Sequence, residues 1–419
     1  MATQAQPRTG GTIGERFQSV RTLSVAIAAP LSDADATLQP CPDASPAKWH
    51  LAHPSWFFET FVLRDHVASY RAFDERWAFL FNSYYEGEGE RIARERRGML
   101  SRPTLDEVLA YRAHVDAALL QALPRLPAEA LALVELGLNH EQQHQELMLT
   151  DILAAFAENP LLPAVWDETP EPAPPAGEIG GVRFPGGVAE IGHSGLDFAF
   201  DCEGPRHRVL VQPYELADRP VTNAEWLQFV NAGGYRTPGH WTADGWAWVK
   251  AQSVEAPLYW RSTGEGWMRF GLDGLHPLDL AEPVCHISWY EADAFARWAG
   301  ARLPTEAEWE IAASAFDPAS GNQLDTAGPV RPRAAAGKGL RQMFGDVWEW
   351  TASPFTPYPG FTPAEGTVGE YNGKFMVNQF VLRGGSCATP RGHLRTSYRN
   401  FFYPHQRGQF CGLRLARDI

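Results

Sequence analysis

The chain has 419 residues, more than one compact core usually holds, so two domains are expected. Acidic residues outnumber basic ones 50 to 36, and the resulting formal charge of −14 argues against a nucleic-acid or anionic-membrane surface. A small, neutral-to-cationic partner fits better. No stretch approaches the roughly 20 apolar residues of a membrane span, and Met1 to Thr12 is polar, without a signal-peptide core. A cytoplasmic protein without nucleic-acid or membrane partners is the expectation. The five cysteines (Cys41, Cys202, Cys285, Cys387, Cys411) are scattered, odd in number and free of CxxC pairs, which points to reduced thiols.

Amphipathic spacing predicts helices over Ile13–Ala29, Pro54–Val67, Leu105–Ala122 and Ala128–Phe156. An antiparallel four-helix bundle filling residues 1–158 is the natural packing. Between 159 and 181 come Pro160, Pro163, Pro170, Pro172, Pro174 and Pro175 among acidic residues, a composition that cannot continue a helix and reads as a linker. From 182 to 419 the chain turns to short strands, as in Val182–Ile191 and Arg208–Tyr214, with many Gly and Trp and long irregular connections. The predicted class is α+β, a helical bundle followed by a loop-rich mixed domain.

Within the fourth helix, residues 140–144 read His-Glu-Gln-Gln-His, which sets two imidazoles one turn apart on one face, where they can share a metal ion. The same letters match the zinc-protease pattern His-Glu-x-x-His, whose glutamate is a general base. Zinc proteases place a third ligand downstream. Here the chain continues Gln145, Glu146 and then the apolar Leu147 to Leu149, with Glu146 rotated off the histidine face. Upstream, Trp49-His50-Leu51-Ala52-His53-Pro54 opens the predicted second helix, which a bundle brings near the fourth. His53 is the expected third ligand and His50 the alternative.

Several long motifs carry a family resemblance. Trp49 to Phe57, Asn82-Ser83-Tyr84-Tyr85-Glu86, Arg97-Gly98 through Ser101-Arg102-Pro103, and Asn139 to His144 resemble the DinB-like bundle of the EgtB-type, ergothioneine-synthesising sulfoxide synthases. Arg219 to Glu225, Arg302 to Glu310, Gly345 to Thr351, Leu382 to Ser386 and Gly412 to Arg414 resemble the formylglycine-generating-enzyme-like (FGE-sulfatase, C-type-lectin-like) domain that accompanies it. The resemblance covers nearly the whole chain. It implies a mononuclear non-haem Fe(II) on His53, His140 and His144, with O2 as co-substrate. The reaction it implies couples a thiol sulfur to the imidazole of N-alpha-trimethylhistidine (hercynine) and oxidises that sulfur to the sulfoxide, at a site between the two domains.

The same resemblance assigns roles to other side chains. Tyr84 and Tyr85 match a tyrosine pair of one branch of the family, either of which could supply a proton or an electron. Gln143 matches a glutamine that hydrogen-bonds the hercynine imidazole, and Asn400 and Phe401 match hercynine contacts, the aromatic face attracting the trimethylammonium group. In the branch that uses gamma-glutamylcysteine an acidic residue stands where this chain has Phe402, which favours free cysteine as sulfur donor, its carboxylate met by Arg94 with Arg91 as the spare. The chain departs from the family in the context of Arg94, where an Arg-Pro-Arg-Pro-like run has become Ile92-Ala93-Arg94-Glu95, at Gly408, where Trp is common, and at Cys411, where Ser or Thr is. A close relative, selenoneine synthase, runs the same coupling on a selenosugar, and the sequence leaves that alternative open. Cysteine oxidation to formylglycine is disfavoured, because Cys387 and Cys411 lie too far apart for the cysteine pair it needs. A metal-dependent binding protein without turnover and a zinc hydrolase are the remaining alternatives.

Overall fold

Thr-x-x-Glu spacings set several helix starts in this chain. The computed structural model describes residues 11–83, 85–168, 176–264, 266–363 and 372–419. Helix α1 (Ile13–Ala28) begins after Thr12, whose hydroxyl accepts the Glu15 N–H at 3.3 Å while Glu15 accepts the Thr12 N–H at 2.6 Å. Then follow α2 (Ala47–Phe58), a π-helical stretch (Glu59–Arg64), α3 (Trp77–Phe81), α4 (Leu105–Ala122) and the 30-residue α5 (Ala128–Ala157). Thr104 and Glu107 repeat the reciprocal cap at α4.

The second helix differs from expectation. It starts at Ala47 rather than Pro54, and Pro54 lies inside it. Every residue from Ala47 to Phe58 is buried, so no apolar stripe marks the first turns and periodicity could not find them. The missing N–H of Pro54 deprives only the His50 carbonyl of its helical donor. The consequence is that His50 and His53 both sit on regular helix.

Phe17, Leu51, Phe58, Val115, Val134 and Leu138 are fully buried in the core of this unit. Gly137 on α5 faces Phe58 so closely that a Cβ there would lie 2.4 Å from its ring, which explains a glycine in mid-helix. A polar layer crosses the same core: Arg21 of α1 and Arg112 of α4 both donate to Glu141 of α5, at 2.8 and 2.7 Å.

The chain divides into two compact units, Met1–Asp151 and Ile152–Ile419, with the dividing point within the last turns of α5. Of the proline-rich linker, residues 169–175 lie outside the described residues. The part before them is held down, since the Val165 and Trp166 N–H groups donate to the Leu272 carbonyl at 2.9 and 3.1 Å.

The second unit contains β1 (Gly181–Phe184), β2 (Gly187–Ile191), β3 (His207–Val211), β4 (Tyr214–Ala217), α6 (Asn223–Asn231), α7 (Ala243–Gln252), β5 (Trp260–Thr263), β6 (Gly266–Gly271), β7 (Gly274–Pro277), α8 (Trp289–Trp298), α9 (Glu306–Ala313), β8 (Trp348–Pro354), β9 (Phe380–Arg383), β10 (Asn400–Phe402), β11 (Cys411–Gly412) and β12 (Ala416–Asp418). These form sheets of order β1-β4-β12, β10-β9-β8-β11, β2-β3 and β5-β6-β7. Only β11 on β8 pairs in parallel among the named strands. The stretch Val182–Ile191 is two strands, broken at Gly186 and Gly187, whose φ values are +72° and +113°. Arg208–Tyr214 is likewise split, where Pro213 lacks a ladder donor.

The motifs of this unit hold its fold together. Arg383 is 0 % exposed and donates to Glu306 and Glu310 at 3.0 and 2.9 Å, and Arg399 grips Glu306 with two bonds of 2.9 and 3.0 Å. Arg414 binds Glu349, which also accepts the Trp309 indole N–H at 2.8 Å. Cys387 and Cys411 are buried, and the Cys411 thiol donates to the Ile287 carbonyl at 2.9 Å. No disulfide joins cysteines among the described residues. No helix among the described residues is long and apolar enough to cross a membrane.

Candidate metal centre

Helices α2 and α5 bring His53, His140 and His144 together, with one ring nitrogen from each lying within 4.8 Å of the others. No other group of three or more His, Cys, Asp or Glu side chains converges this way among the described residues. The Nε2 atoms of His140 and His144 are 3.1 Å apart. Two nitrogens about 2.1 Å from one ion, at a right angle to each other, would be separated by about 3.0 Å, so the spacing suits adjacent corners of one coordination sphere. The rings meet near edge to face, at 88° for His53 with His140 and 86° for His140 with His144.

Burial sets the electrostatics. His53 and His140 are 1 % and 2 % exposed and His144 9 %. Desolvation holds His140 down to about 4, and it drives His53 and His144 well below the ordinary imidazole range, with the neighbouring rings adding to the effect. Near neutral pH all three are uncharged, so each offers a lone pair. This donor set fits a divalent transition metal, and three ligands leave further positions open.

The surroundings fix the rings. The Nδ1–H of His53 donates to the Phe81 carbonyl at 2.6 Å, which turns its Nε2 toward the other two histidines. Its ring stacks on Trp49 and Trp56, at centroid distances of 4.5 and 5.5 Å, and the Arg97 guanidinium lies 3.4 Å over Trp49. His50, the alternative ligand, does not join the trio. Its Nδ1 is 2.9 Å from His144 Nδ1, and its Nε2 is 2.9 Å from Asp151 Oδ2.

Glu141 decides against the zinc-protease reading. It is 1 % exposed, its Oε1 accepts from Ser24 and Arg112 at 2.6 and 2.7 Å, and its Oε2 accepts from Arg21 at 2.8 Å. Burial alone would raise its pKa, but Arg112 and Arg21 overcome that and hold the carboxyl at about 2. A carboxylate so engaged is a structural anion and has no capacity left as a general base.

Other predicted residues fall as follows. Tyr85 is 2 % exposed, with its ring 6.5 Å from that of His53 and 5.4 Å from Trp56, whereas Tyr84 lies outside the described residues. Gln143 is half-buried, three residues after His140 and so on that side of α5. Arg94 is half-buried with no ion pair among the described residues, and its Nε is buried without a hydrogen bond, while Arg91 is paired with Glu86 at 2.5 Å. Asn400 and Phe401 belong to the second unit, on β10, where the Asn400 side-chain Oδ1 accepts the Phe401 N–H at 2.9 Å and Phe401 stacks on Phe355 at 4.1 Å. A Cβ at Gly408 would meet nothing within 4 Å. Sequence reasoning missed Asp151, the indole walls of Trp49 and Trp56, and the buried Arg97. The i, i+4, i+7 spacing of Trp49, His53 and Trp56 was the one available signal for the walls.

Known proteins share this organisation. Residues 16–148 match the DinB superfamily, and residues 168–328 and 315–419 match the sulfatase-modifying factor enzyme 1-like domain. The chain is 37 % identical to hercynine oxygenase from Mycobacterium tuberculosis and to that from Mycolicibacterium smegmatis, in each case over 92 % of this chain and 94 % of the relative. It is 30 % identical to the formylglycine-generating enzyme of Streptomyces coelicolor, over 61 % of this chain and 95 % of the relative. With histidines gathered in a DinB-type bundle and a sulfatase-modifying-factor domain following it in the chain, this oxidoreductase belongs to the family of the hercynine oxygenases.

Proposed function

We propose that the protein is a non-haem Fe(II)- and O2-dependent sulfoxide synthase that joins hercynine to a thiol, and that His53, His140 and His144 hold the iron. The observation carrying this reading is the convergence of three buried, neutral imidazoles beside a glutamate that is already committed to two arginines. Ferrous iron, when bound, supplies the redox chemistry with O2 that zinc lacks, together with vacant positions for substrates.

The chain's own residues then bind and orient. Phe401 offers its ring face to the trimethylammonium group of hercynine and Asn400 its amide, while Gln143 hydrogen-bonds the substrate imidazole. Arg94, whose guanidinium has no ion pair among the described residues and whose Nε is buried without a hydrogen bond, takes the carboxylate of the sulfur donor. Phe402 places no charge where a longer, more charged donor would need one, which favours free cysteine. Tyr85, whose ring lies 6.5 Å from that of His53 among Trp56, Phe57 and Phe61, supplies a phenolic proton. Tyr85→Phe is expected to retain iron and to lower sulfoxide formation by about 100-fold. Single-turnover kinetics on iron-loaded variant protein check this, and an undiminished rate would remove Tyr85 from the reaction.

A second donor has a specific observation in its favour. Gly408 stands where the family commonly has Trp, and a Cβ there would meet nothing within 4 Å, so a bulkier partner such as a selenosugar is the second candidate, which would make the product selenoneine. Anaerobic Fe(II) reconstitution followed by O2, hercynine and, in parallel, cysteine, gamma-glutamylcysteine and a selenosugar, with products read by mass spectrometry, separates these possibilities. Cysteine is expected to dominate. Failure of every donor despite iron binding would leave a binding protein and refute the synthase reading.

A further inference from the structure

His144 touches more than its two partner histidines. Its Nδ1 lies 2.9 Å from His50 Nδ1, and His50 Nε2 lies 2.9 Å from Asp151 Oδ2, so a line of hydrogen bonds runs from a carboxylate through one imidazole to another. Asp151 is itself anchored, since the same oxygen accepts the Ser45 N–H at 2.7 Å. His50 is 3 % exposed, too deep for a casual surface contact.

The proton positions along this line follow from which atoms can donate. A carboxylate only accepts, so the proton in the first bond sits on His50 Nε2. Between the two Nδ1 atoms one ring must donate. If His50 donates, His144 accepts at Nδ1 and directs an Nε2–H at His140. If His144 donates, its Nε2 is left bare, with its lone pair facing His140 Nε2 at 3.1 Å. A metal ligand requires the second arrangement.

We infer that His50 and Asp151 form an outer relay that fixes the tautomer and ring orientation of His144 and so makes it a competent ligand. The inference rests on the three-histidine metal site proposed above, and it makes His50 a positioning residue rather than a ligand. His53 receives the equivalent service from the Phe81 carbonyl. A carboxylate behind a histidine also raises the basicity of the ligating nitrogen, and losing such partners typically costs 10–100-fold in metal affinity.

The test uses the full chain and Fe(II) under anaerobic conditions, with affinity from chelator competition and geometry from the absorption spectrum of the Co(II)-substituted protein. His50→Phe removes the acceptor and is expected to weaken Fe(II) binding by about 10–100-fold and to shift the Co(II) bands. His50→Asn returns an acceptor oxygen near the Nδ1 position and is expected to recover most of the affinity. Asp151→Asn preserves an oxygen for both hydrogen bonds but removes the charge, and is expected to lie between wild type and His50→Phe. Metal-free thermal midpoints separate folding defects from ligand defects. Wild-type affinity and spectrum in His50→Phe would overturn the relay, as would equal losses in His50→Phe and His50→Asn. A wild-type protein that binds neither Fe(II) nor Co(II) would instead overturn the three-histidine site itself.

Discussion

His140→Ala is expected to abolish Fe(II) binding and turnover together. The substitution removes one of three ring nitrogens gathered within 4.8 Å and leaves a pair that cannot surround an ion from one side. The loss should exceed the roughly 10–100-fold produced by disturbing outer partners. Chelator competition and product formation measured on the same preparation check it, and either property surviving at the wild-type level would remove His140 from the site. His140 also packs 5.3 Å from the Phe57 ring. Thermal unfolding of the metal-free variant therefore belongs beside the binding measurement, to separate a lost ligand from a loosened core.

Glu141→Gln, one residue along, should act in a different way. Its carboxylate pairs with Arg21 and Arg112, which are 3 % and 2 % exposed, so the variant takes the carboxylate partner from Arg112 and leaves Arg21 with Asp116 at 2.7 Å. Breaking a buried ion pair by removing one partner costs about 3–5 kcal/mol. Denaturant unfolding should report a loss of that size, while the protein that remains folded still binds Fe(II). A catalytic base would show the opposite pattern, with lost turnover and intact stability. The pH dependence has a definite sign. The folded-state pKa of Glu141 is held at about 2 against an ordinary value of 4.5, so this stabilisation is complete above pH 4.5 and is lost as pH falls from there toward 2.

The histidine cluster was partly legible in the sequence because one helical turn is a short-range fact. His140 and His144 share a face of any helix that contains them. The choice between His50 and His53 was harder, because residues three apart on α2 can both face α5. Spacing could not tell the ring that joins the trio from the ring that lies against His144. Asp151 was out of reach altogether, being 101 residues from the His50 it binds. Periodicity also misplaced the start of α2, because a helix buried on all sides carries no polar face.

In the second unit the motifs could be read, but what they do could not. Arg302, Arg383, Arg399 and Arg414 stand in runs that suggest a functional signature, yet each clasps a glutamate in the fold. The partners explain why: Arg399 lies 93 residues from Glu306, and Arg395 lies 192 from Glu203. The local part of the same motifs was accessible, since Thr222 with Glu225 and Thr305 with Glu308 form reciprocal helix caps that Thr-x-x-Glu announces directly.

Iron K-edge X-ray absorption on the anaerobically reconstituted chain tests the central claim most directly. The account predicts one iron per chain, with the scattering signature of three imidazoles at about 2.1 Å. A first shell with fewer than three imidazoles, or one containing sulfur from the protein in the absence of substrate, would contradict it.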